Sequence, residues 1–199
     1  MKIFGNDGFR SRFGHNYMTI EFLSAFGFGI IDYYKNNGYD LPILIGRDTR
    51  SSGVIIEKLL LSIFSYGGIN TVLAGVIPTP GLSFVLQSGK YVMGIMITAS
   101  HNPHYDNGVK LFSSGGFKCL EQEEKIIENN ILERLKKKNS QFLGKIGIDK
   151  KPNFLYKKYA IGIKNIFKKV NIDDKILIDC SNGSFSHVAK IALKDYPNV

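Results

Sequence analysis

Short apolar segments that run straight into polar loops recur along this chain, and that alternation constrains its fold more than any other feature. Pro42-Ile-Leu-Ile-Gly46 leads into Arg47-Asp-Thr-Arg-Ser-Ser-Gly53, and Ile69–Ala74 into Gly75-Val-Ile-Pro-Thr-Pro80. Val92–Thr98 leads into Ala99–Gly108, and Lys175–Asp179 into Cys180-Ser-Asn-Gly183. Strands that are apolar on successive residues are expected to be buried on both faces, which requires helices on either side of a sheet. The pattern predicts an α/β fold.

The intervening segments read as helices. Ile20–Tyr34 has Thr19 as a candidate N-cap and Gly38 as a stop, and Val54–Tyr66 is closed by Gly67-Gly68. A short helix is expected near Leu82–Gln87. Glu121–Lys138 is amphipathic, with Ile127, Ile131 and Leu135 on one face, acids first and lysines last. Phe154 to about Lys169 places Leu155, Tyr159, Ile163, Ile166 and Val170 together, and a last helix is expected near Val188–Leu193. Val109–Phe112 reads as a short strand, Gly5–Gly14 as an N-terminal loop and residues 139–151 as a linker. The expected division is a first domain over 1–150. Residues 151–199 form a linker helix and the opening of a second α/β domain, left incomplete because so few residues cannot bury a core.

The net charge of +9 raises the question of nucleic acid. Its excess lies between Arg134 and Lys169, where Asp149 is the sole acid. These bases are mostly lysines spread over the polar faces of two helices and the linker between them, so a solvated surface is expected and no nucleic-acid partner. The apolar run Tyr91–Ala99 is far shorter than the roughly 20 residues a bilayer span needs, so no membrane partner is expected either. The N-terminus lacks a signal-peptide core, because Gly5 and Asp7 interrupt it. Cys119 and Cys180 stand far apart and match no zinc spacing. The expected location is cytoplasmic.

The string with most chemistry is Thr98-Ala-Ser-His-Asn-Pro-His-Tyr-Asp-Asn-Gly-Val-Lys110. It follows a buried strand, so Ser100 should emerge at the edge of the sheet where α/β proteins bind ligands. A serine hydroxyl there can accept and donate a phosphoryl group, with His101 adjacent for proton transfer. Asn102 and Asn107 can hold oxygens, Gly108 allows close backbone approach, and Lys110 supplies a cation. His104 reads as surface, and His15 and His187 have no supporting cluster.

This string resembles the phosphoserine loop of the α-D-phosphohexomutases, and its Tyr-Asp-Asn-Gly-Val-Lys ending is most similar to the phosphoglucosamine mutase branch. Phe4-Gly-Asn-Asp-Gly-Phe-Arg10, Gly46–Gly53 and Gly75–Pro80 resemble that branch's other landmarks in order, and Asp179–Gly183 resembles the start of its second domain. The resemblance implies a layered helix/sheet/helix domain with a mixed sheet. It also implies an enzyme of the isomerase class, an intramolecular phosphotransferase that moves phosphate between O6 and O1 of a hexose. Ser100 would carry the phosphoryl group, pass it to a hexosamine phosphate and recover the other phosphate from a sugar bisphosphate intermediate. In that branch glucosamine 6-phosphate and glucosamine 1-phosphate are interconverted, which supplies peptidoglycan precursors. Carried over residue by residue, Ser100, His101, Lys110 and Arg10 are the catalytic candidates, and Asn102, Asn107 and Gly108 the phosphate- and substrate-binding ones. Ser100 through its phosphate is the candidate Mg²⁺ ligand. Asp48 and Arg50 are expected to form a supporting ion pair.

The chain departs from the family pattern at Asn6, Ser11 and Arg47, where Thr, Gly and Lys are usual. A glycine with positive φ at position 11 would leave Ser11 strained. No Asp-Gly-Asp cluster, the family's metal-binding loop, occurs. The expectation is an N-terminal segment of a longer enzyme that is inactive alone. The alternatives are a phosphoglucomutase or phosphomannomutase of the same superfamily, or a non-catalytic remnant that binds a phosphosugar or a protein partner.

Overall fold

The computed structural model describes residues 2–137, 144–151, 155–167 and 174–196. Six strands form one mixed sheet: β1 (Phe9–Arg12), β2 (Ile43–Arg47), β3 (Thr71–Val76), β4 (Met93–Ile97), β5 (Asp106–Ser113) and β6 (Asp149–Lys150). Their spatial order is β1-β5-β4-β2-β3-β6. β2, β3, β4 and β6 run parallel, whereas β5 runs antiparallel to both β4 and β1.

The helices are α1 (Ile20–Asn36), α2 (Ser51–Tyr66), α3 (Thr79–Leu86), α4 (Glu121–Lys136), α5 (Leu155–Phe167) and α6 (Ser186–Ala192). Thr19 caps α1 as expected, its side chain accepting from the Phe22 amide at 3.2 Å. Strand pleating sorts the core into two faces. Ile43, Ile45, Ile95 and Ile97 pack with Phe26, Leu60 and Ile127 from α1, α2 and α4. Leu44, Val72 and Met96 pack on the other side with Leu82, Val85 and Leu86 of α3 and Leu155 of α5. The result is the predicted helix/sheet/helix layering.

Several sequence expectations change. The N-terminal loop contains β1, which the sequence hides because its partner β5 lies about a hundred residues away. The expected linker supplies β6, while residues 139–143 of that linker lie outside the described residues. Lys175–Asp179, expected to be a strand, joins no sheet among the described residues, and Leu177 is 97% exposed. A strand becomes part of a sheet only when a neighbour supplies its hydrogen-bond partners. Leu135 and Ile166, expected on packed faces, are exposed, each within the last turn of its helix. Phe154, Val170 and residues 168–169 lie outside the described residues. Ser11 belongs to β1 and has no positive φ, so it carries none of the strain considered for it.

Candidate active site

Parallel strands that all end at one edge deliver their following loops to one place. β2, β3 and β4 do so here, and the loops Arg47–Arg50, Val76–Thr79 and Thr98–Asn102 surround a cleft of about 710 Å³. Ser181, Gly183 and Ser184 border the same cleft, and His104, expected at the surface, is exposed at its rim.

Ser100 is exposed and adopts the left-handed conformation, with φ of 54°. Non-glycine residues seldom do this without support from their surroundings. That support is a short relay. The Ser100 amide donates to Thr98 Oγ1 at 3.0 Å, and the Thr98 hydroxyl donates to Asp48 Oδ2 at 2.7 Å. Asp48 also accepts from Arg50 Nε at 3.0 Å, which is the expected ion pair. Thr98 and Asp48 are therefore part of the site's frame. The only signal for Thr98 in the sequence was its place at the end of a strand before the serine.

β5 returns antiparallel beside β4 and pairs Lys110 with Met96, which brings Lys110 back to the serine. Lys110 Nζ donates to Ser100 Oγ at 3.3 Å. Burial lowers the Lys110 pKa below the ordinary lysine value; Asp7 partly offsets this and Arg10 reinforces it. Arg10 arrives on β1, paired with Gly108. Its guanidinium reaches Asn102 Oδ1 at 3.5 Å, the outer limit of a hydrogen bond, and pairs with Asp7 at 3.3 Å. Asn102 in turn donates to Asp106 Oδ2 at 2.9 Å. Two cations thus stand on the β5 side of Ser100, suited to a group that gathers negative charge.

The other candidates are placed differently. His101 is exposed beside Ser100, and no hydrogen bond fixes its imidazole among the described residues. Asn107 is fully buried; it donates to Ser52 Oγ at 2.8 Å and accepts from the Gly108 amide at 2.9 Å. Its amide links β5 to the first turn of α2 and does not line the cleft. Gly108 lies where a Cβ would come within 2.6 Å of the Phe9 carbonyl oxygen and 2.8 Å of that of Thr98. It lets β1 and the serine loop close on one another.

For Mg²⁺ the donor set is thin. Among the described residues no three His, Cys, Asp or Glu side chains converge. Ser100 offers one oxygen beside an ammonium, so these residues do not by themselves fit a divalent cation.

Comparison with known proteins agrees with this fold. Residues 1–138 match the family described as phosphoglucomutase/phosphomannomutase, alpha/beta/alpha domain I. The phosphoglucosamine mutase of Syntrophus aciditrophicus is 36% identical over 190 residues, covering 94% of this chain and 42% of that protein. That of Helicobacter pylori strain G27 is 36% identical over 198 residues, covering 98% of this chain and 44% of that protein. The chain thus spans less than half the length of these curated relatives. A crystal structure of a putative phosphomannomutase from Thermus thermophilus superposes with a TM-score of 0.69 at 26% identity, over 83% of this chain and 36% of that one. A phosphoglucomutase/phosphomannomutase family protein from Burkholderia thailandensis gives a TM-score of 0.73 at 21% identity, over 97% of this chain and 42% of that one, a likeness of fold. This chain belongs to the phosphoglucomutase/phosphomannomutase family.

Proposed function

We propose that this chain carries the phosphoserine domain of a phosphosugar mutase that interconverts glucosamine 6-phosphate and glucosamine 1-phosphate. The observation that carries the reading is the exposed Ser100 hydroxyl held 3.3 Å from the Lys110 ammonium at the mouth of the cleft. Phosphoryl transfer demands positioning and charge neutralisation more than covalent chemistry by the protein. In the forward step the bond from Ser100 Oγ to phosphorus breaks as a sugar hydroxyl oxygen bonds to phosphorus. The hydroxyl loses its proton and Ser100 Oγ regains one, giving a sugar bisphosphate and free serine. Transfer of the other phosphate back to Ser100 completes the isomerisation. Lys110 and Arg10 balance charge on the moving group, His101 is the adjacent group for proton exchange, and Asn102 lines the cleft beside it.

The choice of an amino sugar rests on relatives named phosphoglucosamine mutase at 36% identity. Sugar recognition and the acidic ligands that would join a Ser100 phosphate around Mg²⁺ are assigned to polypeptide other than the described residues. The same reading divides the chain near residue 150, places the enzyme in the cytoplasm and makes its product a peptidoglycan precursor. Both cysteines are free thiols, as is usual in a reducing compartment.

Intact-mass measurement and peptide mapping of the protein purified from its host test the reading. Phosphate is expected on Ser100, and Ser100→Ala should remove both the phosphate and the interconversion. Phosphate on another residue with Ser100 unmodified overturns the assignment.

A further inference from the structure

The arginine that completes the first polar loop of the sheet edge does more than pair with its neighbour. Arg50 precedes α2 and its side chain is only 10% exposed. Its Nε donates to Asp48 Oδ2 at 3.0 Å. Nη2 donates to the carbonyls of Ser100 and Asn102, each at 2.8 Å. Nη1 donates to the carbonyl of Asp106 at 3.0 Å and to that of Pro103. A guanidinium has five N–H donors in a rigid plane, and here all of them are engaged. Four hold main-chain carbonyls of the loop that presents Ser100, and the fifth is anchored on Asp48. That carboxylate accepts from Thr98, whose oxygen receives the Ser100 amide.

We propose that Arg50 is the positioning residue for Ser100, holding the serine loop in its left-handed turn so that the hydroxyl faces Lys110. This deepens the mutase reading and rests on it for its role in catalysis. The fork itself lies wholly within this chain. Such a turn exposes successive carbonyls, and a polar loop between strands has few contacts of its own to choose one conformation. The fork supplies them from an element that is fixed independently, since α2 packs its Ile56, Leu60 and Phe64 into the core. Asn107, bonded to Ser52 Oγ in the first turn of α2, secures the far end of the loop to the same helix. Lysine could keep the charge at position 50 but has three donors on one nitrogen and cannot span four carbonyls.

The test uses the 199-residue chain and two readouts independent of turnover. The thiol introduced by Ser100→Cys reports its electrostatic surroundings through the pH profile of its alkylation. Beside Lys110 it should titrate below the ordinary value of about 8.5. Adding Arg50→Lys should return the profile toward that value, and amides of 99–106 should exchange at least about tenfold faster while those of α1 and β2 stay unchanged. An ordinary thiol profile in the parent, the same profile in both proteins, or unchanged loop exchange each overturns the proposal. Fast exchange at Asn102 and Asp106 in the unsubstituted chain does so as well, which keeps the test decisive should Arg50→Lys fail to fold. The mutase reading is judged separately by whether Ser100 carries phosphate, so the two can fail independently.

Discussion

Lys110 Nζ lies 3.3 Å from Ser100 Oγ although ten residues and a change of strand direction separate them. The contact exists because β4 delivers the serine at its end and β5 runs straight back beside it, pairing Met96 with Lys110. The hairpin connection thus turns a reactive serine and a cation into neighbours without asking either to extend across open cleft.

Lys110→Met should slow phosphoryl transfer from Ser100 by about a hundredfold or more, the usual loss when one charge-stabilising donor is removed. Its ammonium has a pKa lowered from the ordinary 10.5 by burial. A phosphate on Ser100 would draw that pKa back upward, and the cationic form is lost as pH rises through it, so an alkaline fall in transfer rate should follow that loss. It should be absent from Lys110→Met. Single-turnover rates in the complete enzyme across pH decide this, and an unchanged alkaline limb in the variant contradicts it.

Gly108→Ala should destabilise the domain by about 2 kcal/mol, in the range of overpacked interiors. The added carbon would lie 2.6 Å from the Phe9 carbonyl oxygen and 2.7 Å from Arg10 Cγ, so β1 must move and take Arg10 with it. Denaturant unfolding measures the loss; a midpoint equal to that of the parent would mean that β1 is not held where the pairing puts it.

Glu124 is a buried carboxylate, 5% exposed, whose Oε1 has no hydrogen bond and relies on Lys118 at 3.4 Å. Burial raises its pKa, and the Lys118 charge only partly offsets this. The folded state therefore holds this proton more tightly than the unfolded chain. The associated stability is complete below the ordinary 4.5 and is lost as pH rises through the raised value. Glu124→Gln removes that loss, so it should be more stable than the parent at pH 7 by about 1 kcal/mol. The advantage should shrink as pH falls toward 4.5. Thermal melts of both proteins at several pH values check the convergence.

Ile176, Leu177 and Ile178 form an exposed apolar run, with Leu177 97% exposed on a segment without strand partners among the described residues. Such edges promote association. Leu177→Lys should leave the melting temperature of the 199-residue chain within about 1 °C, as for surface substitutions away from packing, while reducing concentration-dependent light scattering. A large drop in melting temperature would show that Leu177 packs against something in solution.

Local pattern was enough to read the α/β class, the order of β2 to β5 among the helices, the Thr19 cap and the loop that carries Ser100. Periodicity, capping and turn chemistry act within a few residues, and these features are written at that range. The Asp48–Arg50 pair was legible for the same reason, its members being two residues apart. Tertiary structure alone decided which strands are neighbours. β1 hides in a polar, glycine-rich segment because its identity depends on β5, and Lys175–Asp179, with the better strand pattern, pairs with nothing among the described residues. It also decided that Asn107 turns into the interior while Asn102 faces the cleft, and that Arg50 spends its donors on carbonyls about fifty residues away. Hydrogen-bond partners at that separation leave no periodic trace, because what selects them is the closure of the sheet and the need to satisfy every polar group brought inside it.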